Sequence, residues 1–438
     1  MWEFETDDAY QEQLDWVDEF VREQIEPLDF VLDNPFDKSD ERARAIARPL
    51  QAEVKARGLW ATHLGPELGG QGHGQVKLAL LNEILGRSRW APSIFGAQAP
   101  DSGNAEILAH YGTEAQKSRY LQPLLDGSIT SCYSMTEPTG GADPTLFTTK
   151  AVRDGDSWVI DGAKWFSSNA RYASFFIVMA VTDSEVSPYE GMSMFIVPAE
   201  TPGINIVRNV GVATEPPEQG SLGGVRHDHA YIRYEGVRVP ADHLLGGEGQ
   251  AFVIAQTRLG GGRVHHAMRT VALATHAFDM LCERAVSRTT RHGPLASMQM
   301  TQEKVADSWI DIECFRLLVL RTAWRIDRYR DYKLVRKDIA AVKVMLPRVL
   351  HDVAQRALRI HGSLGVSQEM PFVSMLVTAE ALGLADGPSE VHKITLARQV
   401  LREYTPIDSL FPSGHLPTLR EKAFAAFAER LEHEAAEL

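Results

Sequence analysis

The feature that most constrains the fold is a block of short strand-like segments between two helical regions. Residues 129–245 contain the runs SWVIDG, ASFFIVMAVT, MSMFIVP, INIVRN and HAYIRYEGVRVP, which are rich in Val, Ile, Phe and Tyr. Short runs of this kind, separated by Gly, Pro, Asp and Asn, are typical of an antiparallel β domain. Helical periodicity dominates residues 1–128 and 246–404. The sequence therefore predicts an α+β protein with an N-terminal α-helical domain, a central antiparallel β domain and a C-terminal four-helix bundle.

The two helical regions differ in the length of their segments. In the first, Tyr10, Leu14, Val17 and Val21 form one apolar stripe of an amphipathic helix. In the second, long helical segments run near 250–290, 298–329 and 336–361. Residues 405–438 begin with TPIDSLFPSGHLP and end in a charged helix, so they are predicted to form a C-terminal extension.

Charge and composition exclude several classes of protein. A net charge of −13 argues against a generally basic face for nucleic acid. The three cysteines, Cys132, Cys282 and Cys314, have no metal-ligand spacing, which argues against a zinc site or a disulfide scaffold. No apolar run approaches the roughly 20 residues of a membrane span, and the first 20 residues carry acids but no Lys or Arg, unlike a leader. We therefore expect a cytoplasmic protein.

The stretch LADGPSEVHK, residues 384–393, poses the main question of function. Gly387 and Pro388 break a helix. Asp386 or Ser389 could then cap a helix that starts at Glu390, because Asp and Ser are favoured caps. Taken alone, the stretch favours this capping hypothesis over a chemical role for Asp386.

Two further stretches have the composition of ligand-binding loops. YSMTEPTGGADPTLFTT, residues 133–149, is a hydroxyl- and Gly-rich turn whose backbone N–H groups can meet an anion or a planar ring. DGAKWFSSNA, residues 161–170, places Trp165 and Phe166 beside two serines, so an aromatic ring there could cover a flat cofactor. An ordinary Gly-rich loop and a strand with core aromatics explain each stretch equally well by itself.

The order of the motifs along the chain is more specific than any single motif. YGTEAQKSRYLQPLLDGSITSCYSMTEPTGGAD is followed by DGAKWFSSNA, then YIRYEGVRVPADHLLGGEGQAF, then SRTTRHGPLASMQ and RIHGSLGV. In this order the chain resembles the acyl-CoA dehydrogenase family from about residue 10 to 405. The matching family motifs include Thr-Glu-Pro-x-x-Gly-x-Asp, Gly-x-Lys-x-Trp-Ile-Thr-Asn and an Arg…Gln helix junction in which Arg288 and Gln299 are in register.

The resemblance implies the family's fold and cofactor. It predicts FAD bound between the β domain and the bundle, partly by a neighbouring subunit of a homodimer or homotetramer. The FAD-binding residues that it implies are Tyr133, Met135, Thr136, Gly141, Ala142, Phe166, Ser167, Ser168, Arg288, Gln299, Arg359, Gly362, Ser363, Pro388, Ser389 and Glu390. The substrate-binding residues that it implies are Ala142, Arg263 and Gly387.

The resemblance also gives Asp386 a role. The spacing from Gly365 to Asp386 matches that from the family's Gly-rich turn to its usual catalytic Glu. A minority of members place the Glu before an Arg on an earlier helix, but here Gly262 precedes Arg263. Asp386 is therefore the predicted catalytic base. Together with QTRLGGGRVHHAMR (256–269), ADGPSEVH resembles a branch with Asp-Gly-Pro at the base, whose animal members are linked to 4-hydroxyacyl-CoA breakdown.

Several residues depart from the family pattern. Phe166 stands where most members have Trp, and Ser168 where they have Thr. Ala142 replaces a Ser, and Arg359 replaces the usual Gln near the adjacent subunit's FAD. The adjacent His265 and His266 are either core or surface residues, or contacts of the acyl channel.

The activity that the resemblance implies is FAD-dependent α,β-dehydrogenation of an acyl-CoA thioester to the trans-2-enoyl-CoA. Its partners would be acyl-CoA as substrate and an electron-transfer flavoprotein as electron acceptor. Two alternatives stay open at the level of sequence. One is a flavin oxidase of the same fold, like acyl-CoA or nitroalkane oxidases, and the other is a catalytically silent flavin-binding subunit.

Overall fold

The computed structural model describes residues 6–37, 40–212 and 227–437, with side chains to residue 431. The first region is helical, and the predicted stripe of Tyr10, Leu14, Val17 and Val21 is buried, together with Phe20. Its helices are α1 Asp8–Phe20, α2 Glu41–Ala56, α3 Gln75–Leu85, α4 Ala91–Ile94, α5 Asp101–Tyr111, α6 Glu114–Gln116 and α7 Gln122–Leu125.

A sheet of eight strands follows. The strands are β1 Ser131–Ser134, β2 Lys150–Asp154, β3 Ser157–Ser168, β4 Phe175–Val181, β5 Met192–Pro198, β6 Ile204–Val210, β7 His229–Pro240 and β8 Leu244–Leu245. Their order is β6-β7-β3-β2-β4-β5-β8, with β1 paired to β4. Most pairs are antiparallel, as predicted, but β1 and β2 each pair with β4 in parallel. The sheet is therefore mixed, with parallel pairing where β1 and β2 lie beside β4.

Strand β4 shows how the sheet joins two cores. Its continuous apolar run, FFIVMAV, is buried at six of its seven positions. Because side chains alternate across a strand, Phe175 and Ile177 pack into the core of the N-terminal helices. Phe176 and Val178 pack into the core of the sheet's other face. Because both faces of β4 are covered, no position needs a polar side chain, and this explains the continuous apolar run.

The C-terminal region consists of long helices. They are α8 Ala251–Ser287, α9 Gln299–Tyr329, α10 Arg336–His361, α11 Phe372–Leu384 and α12 Ser389–Leu401, with a hairpin of β9 Thr289–Thr290 and β10 Gly293–Pro294 after α8, and α13 Leu416–Glu437 at the end.

Helices α9 and α10 run antiparallel, and ion pairs join them at both ends. Arg356 Nη1 lies 2.8 Å from Asp311 Oδ2 at one end, and Arg321 Nη1 lies 2.6 Å from Asp338 Oδ1 at the other. The three long helices lie within three residues of the predicted segments. Helix α13 makes up most of the predicted C-terminal extension, 405–438.

The predicted fold class, helical then sheet then helical, is confirmed. In the part of the chain that the structure describes, we find no helix with the length and apolar character to cross a bilayer.

Candidate active site

The Asp386–Gly387 turn joins α11 to α12 in a backbone conformation that few residues adopt. The φ angle is +55° at Asp386 and +100° at Gly387. Asp tolerates the left-handed region better than most residues, and a Cβ at Gly387 would lie 3.0 Å from Nε2 of His392. Helix α12 begins at Ser389, and no side chain caps it. The capping hypothesis for Asp386 and Ser389 is therefore wrong, because the helix starts without either side chain.

The peptide of Asp386 is held through its carbonyl group. Nε of Arg263 donates to the Asp386 carbonyl oxygen at 2.9 Å, and Nε2 of His392 lies 3.2 Å from the same oxygen. The N–H of Asp386 makes no hydrogen bond to any residue that the structure describes. The turn therefore presents a free backbone donor on a peptide fixed from its opposite side.

The Asp386 carboxylate faces helix α8. Its Oδ2 lies 3.7 Å from Nε2 of His266, a contact too long for a hydrogen bond, and the Asp386 side chain is 17% exposed. A Cβ added to Gly262 would lie 3.3 Å from this oxygen. Gly262, where a minority of the family would carry the base, is thus directly opposite Asp386. The two positions therefore meet at one place, and the carboxylate found there belongs to Asp386.

Two cations and two imidazoles surround this carboxylate. Lys343 is buried, and its Nζ donates to the carbonyl of Leu382 at the end of α11. Burial lowers the pKa of Lys343 to about 8, although Asp386 opposes the shift. Burial also lowers the pKa of His266, again against Asp386, and lowers that of His392 to about 4. Asp386 therefore faces Arg263 and Lys343 as charges, with both imidazoles uncharged near neutral pH.

A second buried carboxyl, that of Glu106 on helix α5, faces α8 at Gly261, the residue before Gly262. It was not identified from the sequence. A Cβ at Gly261 would be 2.7 Å from Oε2 of Glu106, and one at Gly260 would be 2.9 Å from the ring of Tyr332. The Tyr332 hydroxyl donates to Glu106 at 2.9 Å. Burial raises the pKa of Glu106 to about 7. The run Gly260–Gly262 thus lets three side chains reach the helix backbone. The one sequence feature that could have indicated this residue is the position of Glu106 as the acid in the mainly apolar stretch AEILAHY.

On the sheet, Phe166 is turned outward at an irregularity of strand β3. The register between β3 and β7 shifts between Lys164 and Ser167. At the shift, Phe166 has φ +51° and is 43% exposed, with its ring stacked on that of His229 at 4.9 Å. A bulky residue in the left-handed region is a strained feature that is often found at functional sites. The bulge therefore presents an aromatic face at the surface.

The loop after β1 lies beside this bulge and is fixed by a buried ion pair. The backbone N–H of Trp165 donates to the carbonyl of Thr136 at 2.8 Å. Lys164 Nζ lies 3.0 Å from Glu137 Oε1, and both side chains are almost fully buried. Burial would raise the pKa of Glu137, but Lys164 and donors from Thr148 and Thr149 outweigh it and lower the pKa. The Glu and Lys of the two quoted motifs are therefore structural residues, and they shape the loop.

The exposed part of this loop has the features that a flat, polar cofactor needs. Gly141 and Ala142 are exposed, and their N–H groups have no hydrogen-bond partner among the described residues. A Cβ at Gly141 would meet nothing closer than 3.6 Å, so internal crowding does not require glycine there. The free donors and the open space at Gly141 fit FAD, which the family resemblance predicts.

The hydroxyls of the predicted serines are already bonded within the protein. Ser167 is fully buried, and its Oγ lies 2.9 Å from that of Ser134. The Ser168 Oγ lies 2.8 Å from Nδ1 of His229. A contact of Ser167 with a cofactor would therefore use its backbone.

Tyr133, on strand β1, packs against Arg258 of helix α8. Its hydroxyl lies 3.6 Å from the sulfur of Met135, and the guanidinium of Arg258 lies 3.9 Å from its ring centroid. Burial raises the pKa of Tyr133 to about 12, Arg258 opposes this shift, and the Asp386 charge adds to it.

The remaining predicted residues divide into two groups. Pro388, Ser389 and Glu390 lie beside Asp386 at the start of α12, where the Ser389 hydroxyl donates to the Gly383 carbonyl at 3.3 Å. An exposed group lies at the other end of the long helices: Arg288, Gln299, Arg359, Gly362 and Ser363. At 1.5 Å per residue, Arg288 is about 39 Å along α8 from Gly262. One chain therefore does not bring this group to Asp386.

Comparison with known proteins gives matches along most of the chain. The N-terminal, middle and C-terminal domain models of acyl-CoA dehydrogenase match residues 7–128, 132–220 and 249–401. "Probable acyl-CoA dehydrogenase FadE2" of Mycobacterium tuberculosis is 39% identical over 83% of this chain and 87% of its own length.

Two further matches bear on length and fold. Acyl-CoA dehydrogenase family member 11 of Gallus gallus is 38% identical over 89% of this chain and 50% of its own length. This chain thus spans about half the length of the animal relatives that it matches. The structure of butyryl-CoA dehydrogenase from Megasphaera elsdenii is 26% identical, with a TM-score of 0.77 over 92% of this chain and 100% of that one.

Proposed function

The chain belongs to the acyl-CoA dehydrogenase family of FAD-dependent oxidoreductases, and we propose that it oxidises an acyl-CoA thioester to the trans-2-enoyl-CoA. The observation that carries this proposal is the Asp386 turn. One residue offers both a carboxylate and a backbone N–H that has no partner among the described residues, on a peptide that Arg263 and His392 hold from its other side.

Asp386 supplies both groups that the acidic half of the reaction needs. Its carboxylate takes the proton from the carbon next to the thioester. Its N–H donates to the thioester carbonyl, where negative charge develops as that proton leaves. Bound FAD supplies the acceptor for the hydride from the β-carbon. Because Asp is one methylene shorter than Glu, the substrate must come closer, and the missing side chain at Gly262 leaves room for it.

The sheet supplies the cofactor's surroundings in this proposal. Phe166 would cover the flat ring system of bound FAD, and the N–H groups of Gly141 and Ala142 would donate hydrogen bonds to the cofactor. Met135 and Thr136 precede this turn, and Tyr133 lies where cofactor and substrate meet. The strain at Phe166 supports this role, since the ring would otherwise have no reason to be turned outward.

The exposed group at the far end of the bundle, Arg288, Gln299, Arg359, Gly362 and Ser363, completes the FAD site of a neighbouring subunit. Its distance from Asp386 within one chain supports this assignment. We therefore propose a homodimer or a homotetramer with shared sites. An electron-transfer flavoprotein, which the family resemblance implies, is the proposed electron acceptor.

An anaerobic titration tests the proposed function. The purified protein, yellow and holding non-covalent FAD, is mixed with a panel of acyl-CoAs while the visible absorbance of the flavin is followed. Bleaching by at least one acyl-CoA, with the 2-enoyl-CoA formed in equal amount, is the expected result. FMN or no flavin on denaturation, or no bleaching by any acyl-CoA, would contradict the proposal. Comparing turnover in air with turnover by an artificial acceptor then distinguishes a dehydrogenase from an oxidase.

A further inference from the structure

Arg269 on helix α8 is a partly buried cation that has no anionic partner among the described residues. Its Nε donates to Asn82 Oδ1 at 2.8 Å, and its Nη2 donates to the carbonyl of Ala97. Both acceptors are neutral, and in the part of the chain that the structure describes no carboxylate lies within 4.0 Å of Arg269. Burial alone lowers its pKa to about 10. Buried charges in proteins are normally paired, so this guanidinium is an exception that needs an explanation.

Two histidines near Arg269 have ring nitrogens without partners among the described residues. His265 lies one turn before Arg269 on α8. His63 lies two residues after Ala61, whose N–H donates to the carbonyl of Phe95, two residues before the Ala97 that Arg269 contacts. His265 is 8% exposed, and its Nε2 is buried with no hydrogen bond. Both ring nitrogens of His63, from the N-terminal helical region, are buried and unpaired as well. Burial lowers the pKa of His63 to about 3 and that of His265 well below its usual value, and Arg269 adds to both shifts. Uncharged imidazoles carry one N–H each, so this group holds unused donors around a cation.

These residues continue the face of α8 that Asp386 contacts. Positions 262, 265, 266 and 269 have the i, i+3, i+4, i+7 spacing of one helix face. Asp386 Oδ2 lies against the first and third of them. Arg269 follows Gly262 by about 10 Å along the axis. A chain held with its thioester at Asp386 and running along this face would reach Arg269 with its far end.

We propose that Arg269, His63 and His265 form a subsite for a carboxylate at the far end of the acyl chain, so that the substrate is an ω-carboxyacyl-CoA. This inference rests on the proposed function, because it takes the thioester to lie at Asp386. A carboxylate would give Arg269 its missing counter-ion and accept the unused imidazole N–H groups. At about 1.2 Å per bond of an extended chain, the helix rise corresponds to an acyl group of about five to ten carbons.

The observations favour an anion over a neutral polar group. A hydroxyl would satisfy one imidazole but would leave the guanidinium without a counter-charge. A purely structural role, in which Arg269 only ties α3 and the Ala97 segment to α8, explains the two bonds that it makes. That role does not explain the three unpaired imidazole nitrogens around it.

Binding of unreactive analogues tests the subsite without turnover. CoA thioethers that carry an alkyl, an ω-hydroxyalkyl or an ω-carboxyalkyl chain of equal length are titrated calorimetrically into the holoprotein. We expect the ω-carboxyalkyl thioether to bind at least about tenfold more tightly than the other two. Arg269→Gln should remove this preference while leaving alkyl binding within about twofold, and Arg269→Lys should keep part of it. Arg284→Gln, about four turns further along α8, is the matched control and should keep the full preference.

The outcomes separate the subsite from the proposed function. Equal binding of alkyl and ω-carboxyalkyl thioethers, an equal loss of both in Arg269→Gln, or tightest binding of the ω-hydroxyalkyl thioether would each overturn the carboxylate subsite. In those cases the dehydrogenase function would stand if plain acyl-CoAs still bleach the flavin. If no thioether binds and no acyl-CoA bleaches the flavin, both proposals fail.

Discussion

Nε of Arg263 donates to the carbonyl oxygen of Asp386 at 2.9 Å, so the turn that carries the carboxylate is fixed from helix α8. The two residues are 123 positions apart in the chain. The bond orients the peptide with its carbonyl toward α8, and the Asp386 N–H has no partner among the described residues. If Asp386 were a helix cap, its side chain would bond to the first N–H groups of α12, and it does not. The relationship is therefore better suited to positioning a reactive group than to ending a helix.

Replacing Asp386 by Asn tests the base directly. Asn tolerates the left-handed φ of +55° as well as Asp does, so the fold and the backbone N–H should be retained. We expect FAD and acyl-CoA binding to be kept, and flavin reduction in stopped-flow measurements to slow by at least about 100-fold. Asp386→Glu should retain part of the activity. Glu380→Gln, on the exposed face of α11, is the control and should reduce normally, whereas near-normal reduction by Asp386→Asn would end the proposed role.

Arg263→Lys tests the positioning of the same turn. A hydrogen bond to a charged donor contributes about 1.5–3 kcal/mol, so its loss should slow flavin reduction by about 10- to 150-fold. Since the carboxylate itself remains, the pH dependence of reduction should keep its form, and the FAD content should not change. The variant could instead lose FAD or stability. If it then reduced its flavin at the full rate once reconstituted with FAD, Arg263 would be only structural.

Phe166→Gly separates the strain at the bulge from its proposed role. Glycine adopts φ +51° without cost, so the melting temperature of the FAD-free protein should not fall. Stacking of an aromatic ring contributes about 0.5–1.5 kcal/mol, so the dissociation constant for FAD should rise about 2- to 12-fold in a fluorescence titration. Phe166→Trp should bind FAD as tightly as the parent protein. Unchanged FAD affinity in Phe166→Gly would place the cofactor elsewhere.

Mixing two inactive variants tests whether sites are shared between subunits. One chain carries Asp386→Asn, and the other carries Arg288→Glu, which should weaken FAD binding in the neighbour's site. If the subunits exchange at random, half of the dimers are mixed and each has one complete site, so about a quarter of the parent activity should return. Recovery should need co-refolding or co-expression. Failure to recover any activity, with mixed dimers present by mass spectrometry, would argue that each chain builds its own site.

The buried imidazoles predict a loss of stability in mild acid. His63 has a folded-state pKa of about 3 and His392 of about 4, chiefly because of burial. In the unfolded chain both protonate near pH 6.5, so below this pH the unfolded state binds more protons and is favoured. The melting temperature should therefore fall as the pH is lowered from about 6.5 toward 4. The fall should be shallower in His63→Gln than in the parent or in the exposed control His292→Gln, and equal slopes in all three would contradict the prediction.

The sequence by itself determined the order of domains, the strands and the long helices. Apolar patterning is a local property of the chain. It set the burial of Tyr10 and Leu14 in α1 through helical periodicity, and that of Phe175 and Phe176 in β4 through a continuous apolar run. Motif order pointed to the family, and motif spacing pointed to Asp386. The same local information favoured a helix cap at Asp386, because capping propensities ignore contacts from distant helices.

Only the tertiary structure decided which groups meet. Arg263 reaches Asp386 across 123 residues. Arg269 reaches the carbonyl of Ala97, two residues after the Phe95 carbonyl that accepts from the Ala61 N–H, and this packing brings the segment of His63 toward α8. The outward turn of Phe166 depends on the register of β3 against β7, which no local pattern sets. The missing counter-ion of Arg269 also became visible only with every neighbour in place. Charge pairing and burial depend on packing, and for that physical reason the chemistry of this site could not be obtained from periodicity alone.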